Sequence, residues 1–203
     1  MQLKKLLKKN SVTVVDGNTA VLKVIGTPFD GLTRWWCRHE AECLSNLAGL
    51  GFEGAPKFIR SSSNSITMEK IEGTSLSRLP SVDEQLFIRI LDVVRELHRL
   101  GFAHGNLRVD NIFVSDERGP VLIDFETCCR KGNPLFSLVK FNDDVRLYLL
   151  WQSRVVRVDR DLARTSFPGY VTLAMFVITP LNKIGRVFTS MKKRLRNSFK
   201  ASS

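Results

Sequence analysis

Residues 104–126 constrain this 203-residue chain more than any other stretch. Two short apolar runs, Ile112–Val114 and Val121–Ile123, flank the turn-forming stretch Asp116–Pro120, so they are expected to pair as an antiparallel hairpin. Pairing brings the outer ends of the two runs side by side. Those ends are rich in chemistry: His104-Gly105-Asn106-Leu107-Arg108-Val109-Asp110-Asn111 precedes the first run, and Asp124-Phe125-Glu126 follows the second, thirteen residues after Asn111. Any fold that accepts this segment presents amide and carboxylate groups together from the two ends of one hairpin.

The rest of the chain supplies the frame. Ser11–Val15 and Thr19–Val24 are rich in β-branched residues and surround Asp16-Gly17-Asn18, which predicts an earlier hairpin, because Asp-Gly supplies the positive φ that a tight turn needs. Trp36, Glu40, Leu44 and Leu47 recur at helical spacing, predicting a helix over Leu32–Ala48 that Gly49 and Gly51 stop. A polar loop at Ser61–Ser65 leads into the strand-like Ser65–Ile71. Ser81 with Glu84 three residues later reads as a capping box, and Leu86, Ile90, Val94 and Leu97 mark one face of a long helix ending at Gly101. A further helix is expected over Leu138–Val156. Strands early and helices late give an α+β class. The expected organisation is a basic tail at 1–10, a β-rich part at 11–73, a helical part at 74–165, and a C-terminal segment at 166–203 that is first hydrophobic and then basic and amphipathic.

Charge is informative once it is located. The formal net charge is +11, and the eleven lysines and arginines of residues 1–15 and 183–203, where no acid occurs, account for all of it. Residues 16–182 are formally neutral. That distribution argues against a nucleic-acid-binding core and for a neutral domain held at an anionic surface by its ends. From Pro180, Leu181, Ile184, Phe188, Met191 and Leu195 share one side of a helical pattern with cations on the others, so an anionic membrane surface is the expected partner of residues 180–200. A helix docked on the domain with a solvated basic face is the alternative. MQLKKLLKKN has no apolar run of signal-peptide length, and the most hydrophobic window, Tyr170–Leu181, is too short to span a bilayer. Cys37, Cys43, Cys128 and Cys129 form no CxxC pair and fit no zinc-ligand spacing, so ordinary thiols in a reducing compartment are expected.

The stretch His104–Asn111 with Asp124-Phe125-Glu126 resembles the catalytic loop, H-R-D-x-x-x-x-N, and the metal-binding loop, D-F-G, of the protein-kinase-like superfamily. Ala20-Val21-Leu22-Lys23 is similar to the V-A-I-K strand, and Glu40 stands where the ion-pair partner of that lysine is expected, with Glu42 as the alternative. Thr67–Gly73 resembles the hinge that receives adenine. The resemblance covers Ser11–Leu150 and implies a two-lobe fold with a reduced β-rich N-lobe and a truncated helical C-lobe. It further implies that Lys23, Glu40, Met68, Glu69 and Ile71 bind ATP, that Asn111 and Asp124 hold Mg2+, and that His104 and Asn106 occupy the catalytic loop. The wording RELHRLGFAHGNLRVDNIFV is most similar to small bacterial RIO-like and lipopolysaccharide-core sugar kinases. That likeness implies a phosphotransferase acting on an alcohol group, with a membrane-linked sugar or a protein as acceptor, at the cytoplasmic face of a membrane.

Three departures qualify this expectation. Asn106 replaces the catalytic aspartate, and an amide cannot accept a proton; Asp110 is a conceivable substitute. No glycine precedes the first strand, so the loop over the phosphates is missing. Glu126 replaces the glycine of D-F-G, which is expected to cost the loop conformational freedom. A catalytically impaired pseudokinase that binds a nucleotide or a partner is therefore the alternative to a weakened kinase.

Overall fold

The β-branched runs on either side of Asp16 pair as β1 (Lys9–Val15) and β2 (Ala20–Gly26), antiparallel, with Val12 opposite Lys23. The structure is a computed structural model and describes residues 9–16, 19–26, 30–63, 65–155 and 167–171. On its other edge β2 pairs with β4 (Ser65–Glu69), which in turn pairs with β3 (Phe58–Ser61), giving a four-stranded sheet of order β1-β2-β4-β3. Ile66, Thr67 and Met68 of β4 are all buried, as an inner strand covered on both faces requires. β3 falls where no strand is expected from sequence. Three of its four residues are exposed and its register shifts between Phe58 and Arg60, so it carries no alternating pattern to read.

Helix α1 (Asp30–Gly49) buries Cys37, Glu40, Ala41, Leu44 and Leu47, a single helical face. That face packs on the sheet and on the short 3-10 turn Phe125–Thr127. The expected helix is thus present, and among its described side chains Cys37 is buried while Trp36 is only half-buried.

Helix α2 (Glu84–Arg99) buries Leu86, Phe87, Ile90, Leu91, Val94 and Leu97. Its cap differs from the expected capping box. Asp83 is the N-cap, with extended backbone angles and a carboxylate that accepts from the Leu86 N–H at 2.7 Å. Ser81 is kept out of the helix because Val82 bridges Val155 and its N–H donates to the Arg154 carbonyl at 3.1 Å, holding this stretch extended. Helix α3 (Phe136–Arg154) follows, burying Asp143, Leu147, Leu150 and Trp151.

Between α2 and α3 lie the elements that position the site. β7 (Ile112–Ser115) and β8 (Gly119–Leu122) form the hairpin expected from sequence, with Ile112 opposite Leu122. β5 (Thr74–Ser75) adds to the outer edge of β7, and β6 (Phe102–Ala103) pairs with β9 (Cys129–Arg130). These two-residue pairings are too short to leave a period in the sequence. Cys43 of α1 and Cys128 beside the Phe125–Thr127 turn are joined as a disulfide. This corrects the expectation of four ordinary thiols, which holds for Cys37 and Cys129, both buried and outside the disulfide. The partners are 85 residues apart and meet only because α1 packs on that turn.

The chain divides into two compact units, Met1–Val158 and Asp159–Ser203. Of the second unit, the described residues are 167–171, of which Gly169–Val171 are helical. The amphipathic segment expected at 180–200, the first eight residues and the Gly17-Asn18 tip of the first hairpin lie outside the described residues. Among the described residues no helix is long and apolar enough to cross a membrane.

The cap assignment is testable by urea unfolding. Asp83→Ala should cost about 0.5–2 kcal/mol, the usual loss for a cap. Ser81→Ala should stay within about 0.5 kcal/mol, as an ordinary surface change does.

Candidate functional site

Alternation along β2 turns Lys23 inward, where it is 8% exposed. Its Nζ lies 2.8 and 3.0 Å from the two oxygens of Glu40, 2.7 Å from Asp124 Oδ1 and 3.1 Å from Glu126 Oε1. Glu40 reaches it from the apolar face of α1, where it sits between Cys37 and Leu44 at 1% exposure. A carboxylate in that stripe is tolerable only with a cation in contact. Glu42, two residues further on, is exposed and lines a separate cavity with Arg34 and Arg38, so of the two candidates it is Glu40 that pairs with Lys23. Burial alone would lower the Lys23 pKa; the charges of Glu40 and Asp124 and their hydrogen bonds outweigh it, and the net shift is upward.

Asp124 arrives from the far end of the hairpin. It stands at the entry to the Phe125–Thr127 turn with φ +69° and ψ 65°, a left-handed conformation that Asp tolerates better than most residues. Among the described residues, positive φ in this loop falls on Asp124 and not on Glu126, so glutamate at 126 costs the loop no conformational freedom. Instead it adds a third carboxylate. Glu40, Asp124 and Glu126 offer oxygens that all lie within 4.8 Å of one another, a hard-oxygen set of the kind divalent cations prefer.

Asn106 faces the same cluster, its Nδ2 donating to Asp124 Oδ2 at 3.1 Å. Asn111 Nδ2 donates to the Asn106 carbonyl at 2.9 Å, and the Asn111 carbonyl accepts from the Ile123 N–H at 2.9 Å. The two ends of the hairpin are thereby stitched together, as the opening sequence pattern demands. Asp110 is exposed in the Val109–Asn111 turn.

The loop is held from behind by a residue that sequence reading passed over. Asp143 of α3, fully buried, accepts from the backbone N–H of His104 at 2.7 Å and of Gly105 at 2.9 Å, and its Oδ2 also lies 3.2 Å from His98 Nε2. A signal existed: Asp143 stands in one helical series with Leu147, Leu150 and Trp151, an acid at a core position. Gly105 has φ +78°, and a Cβ there would meet the Thr127 carbonyl at 2.5 Å, so the residue that follows His104 must be glycine.

His104 is fully buried against Phe125, ring centroids 4.7 Å apart. Its Nε2 donates to the Ile123 carbonyl at 3.0 Å, leaving Nδ1 to accept from the Asn106 N–H at 3.3 Å. Both ring nitrogens are used, and the imidazole joins the two loops without reaching the carboxylate cluster.

The expected hinge residues lie at the end of β4. Met68 is buried opposite Val21. The Glu69 carboxylate accepts from the Lys57 N–H at 3.0 Å and pairs with Arg118 of the β7–β8 turn at 3.1 Å, tying the sheet to the hairpin. Ile71 follows, half-buried, after Lys70, whose N–H donates to the Thr19 carbonyl at 2.9 Å.

Burial lowers the His104 pKa below its ordinary 6.5, outweighing the nearby Asp143 charge. A depressed histidine contributes stability that is present above the unfolded pKa and lost as pH falls through the folded one. Unfolding measured between about pH 7.5 and 5 should show wild type losing more stability than His104→Gln; parallel curves would remove this role.

No family model matches the chain. The serine/threonine-protein kinase ppk8 of Schizosaccharomyces pombe is 34% identical over 62 residues, which are 30% of this chain and 12% of that protein. Two crystal structures of Rio2 kinase from Chaetomium thermophilum superpose on it at 17% identity. One is an ADP/Mg2+-phosphoaspartate complex, with a TM-score of 0.61 over 79% of this chain and 57% of that one. The other has a TM-score of 0.63 over 80% and 60%. The chain thus spans less than two thirds of each of these proteins. With its small sheet, its inward lysine paired to a helix glutamate and its hairpin-borne asparagine and aspartate, the chain has the protein-kinase-like fold.

Proposed function

We propose that this protein is an Mg2+- and ATP-dependent phosphotransferase of low turnover, acting on an alcohol group at the cytoplasmic face of a membrane. The observation that carries the reading is the Lys23 ammonium held at 2.7–3.0 Å between Glu40 and Asp124, which joins β2, α1 and the hairpin in one contact. Structural similarity to a kinase captured with ADP and Mg2+ supports the choice of cofactors. The donor set fits them: clustered carboxylate oxygens suit a hard divalent ion, and a buried lysine suits a phosphate. Mg2+ and ATP, when bound, supply the phosphoryl group and the neutralisation of its charge.

The protein's own residues divide the remaining work. Lys23 donates to phosphate oxygens, and Glu40 fixes its position. Asp124 and Asn111 hold the cation, with Glu126 beside them. Met68, Glu69 and Ile71 border the adenine position. Asn106 orients the acceptor hydroxyl through its amide, while His104 and Asp143 keep the loop in shape. Because phosphoryl transfer depends chiefly on positioning and charge stabilisation, a site without a base remains competent but slow.

The second reading, a pseudokinase binding a nucleotide or partner as a regulatory module, is favoured by one observation. The Asn106 amide donates to Asp124 at the position where the catalytic carboxylate is expected. ATP turnover with Mg2+ separates the two. Wild type should turn over slowly and Asp124→Ala not at all; equal rates would leave only the second reading. Asn106→Asp should raise the rate towards the factor of about 10² that a positioned base supplies. That gain should need high Mg2+, because the new carboxylate would face Asp124 across about 3 Å until a cation separates them.

Membrane attachment through residues 180–200 rests on the seven cations of residues 183–200 and the apolar series from Leu181 to Leu195. The acceptor we infer is a membrane-linked sugar, with a protein as the alternative; nucleic acid is not expected. Anionic vesicles should carry the protein upward in flotation at low salt, at about 1 kcal/mol per cation, and release it at high salt. Flotation with neutral vesicles at high salt would contradict the electrostatic attachment.

A further inference from the structure

The disulfide partners occupy informative places. Cys43 lies three residues beyond Glu40 on α1, and Cys128 lies four beyond Asp124 and two beyond Glu126. The link therefore fastens the helix that carries one Lys23 partner to the turn that carries the other two. A hydrogen bond of 2.6 Å from His39 Nε2 to the Cys128 carbonyl runs beside it, so the same two elements also meet without the covalent bond. Their Cα atoms are 6.8 Å apart, within the span a disulfide bridges, and one backbone arrangement can serve both the bonded and the reduced pair.

We propose that Cys43 and Cys128 form a reversible redox modification site that controls how firmly the Glu40 helix and the Asp124–Glu126 turn grip Lys23. The oxidant is a hydroperoxide, small enough to reach two cysteines that are each 4% exposed. One thiol is oxidised to a sulfenic acid as the peroxide O–O bond breaks and water leaves. The second sulfur then attacks the first, and a second water departs. In sum, two thiols and one hydrogen peroxide give one disulfide and two waters. A dithiol reverses the reaction by exchange, returning both protons and both electrons. Cys37 and Cys129 take no part in the disulfide and are spectators. In a compartment that keeps thiols reduced, such a pair is a sensor rather than a permanent staple.

The inference concerns the grip on Lys23 and is independent of the phosphotransferase reading, so its test uses no nucleotide. The full-length protein is reduced with dithiothreitol and divided, and one half is treated with hydrogen peroxide. Peptide mapping without reduction locates the crosslink. Amide hydrogen exchange and acylation of Lys23 by an N-hydroxysuccinimide ester then compare the halves. The expected result is a Cys43–Cys128 crosslink, slower exchange in both 36–47 and 122–131, and several-fold slower acylation of Lys23, all restored by returning the dithiol. Cys43→Ser should respond to neither reagent, and the reversible wild-type comparison decides the matter even if that variant does not fold. A crosslink through Cys37 or Cys129, no crosslink, or a Cys43–Cys128 crosslink that leaves exchange and acylation unchanged would each overturn the proposal.

Discussion

A buried ammonium shared by three carboxylates is the constraint on which the described structure turns. Lys23 comes from the sheet, Glu40 from α1, and Asp124 and Glu126 from the far end of the β7–β8 hairpin. Taking these charges out of water costs several kcal/mol per ion, and the cost is recovered only where the geometry is close and the remaining lone pairs are used. Contacts of 2.7–3.1 Å meet that condition. The arrangement is consequently unforgiving: loss of the Lys23 ammonium takes this partner from buried Glu40 and Glu126, and breaking a buried pair typically costs about 3–5 kcal/mol. Glu40, Asp124 and Glu126 bring their oxygens within 4.8 Å of one another around that ammonium, the kind of oxygen set that hard divalent cations prefer.

The geometry of that cluster is only as good as the backbone that presents it. Asp124 is delivered in a left-handed conformation, and the loop opposite it turns through Gly105, also at positive φ. Conformations of this kind persist where their surroundings over-determine them. Here the surroundings are polar and buried: Asp143 accepts two successive backbone N–H groups, His104 ties the Asn106 N–H to the Ile123 carbonyl, and Thr127 donates to the His104 carbonyl at 3.1 Å. Helix α3 thus acts on the site through the loop backbone, with its acid buried behind the loop whose Asn106 faces the carboxylate cluster.

What the sequence revealed follows from how local each signal is. The β7–β8 hairpin and α1 were legible because their patterns lie within twenty residues, and Glu40 was legible only through the resemblance of Ala20–Lys23 and the helix after it to the kinase pattern, with Glu42 left as the alternative. The cap of α2 was misread because Ser81 and Asp83 are both good caps; the choice is made by the bridge between Val82 and Val155, distant in sequence. Strand β3 gave no period because only one of its residues turns from solvent. Asp143 was passed over although an acid among Leu147, Leu150 and Trp151 announces a buried partner. The Cys43–Cys128 pairing depends on the packing of α1 against a turn 85 residues away, and no spacing rule reaches that far.

The departures from the kinase pattern make more sense together than singly. The pattern itself places three carboxylates about the lysine and the cation: the helix glutamate, the catalytic-loop aspartate and the D-F-G aspartate. In this chain the stretch that resembles the catalytic loop holds Asn106 at the second of these places, and Glu126 stands where the pattern has glycine. The number of carboxylates is the same and one position differs. An aspartate at 106 in addition to Glu126 would make a fourth carboxylate, set against Asp124 across about 3 Å with strong mutual repulsion. An amide there turns repulsion into a hydrogen bond of 3.1 Å. Asn106 and Glu126 are thus complementary: the carboxylate that an aspartate at 106 would add beside Asp124 is found instead at Glu126, 3.1 Å from the Lys23 ammonium.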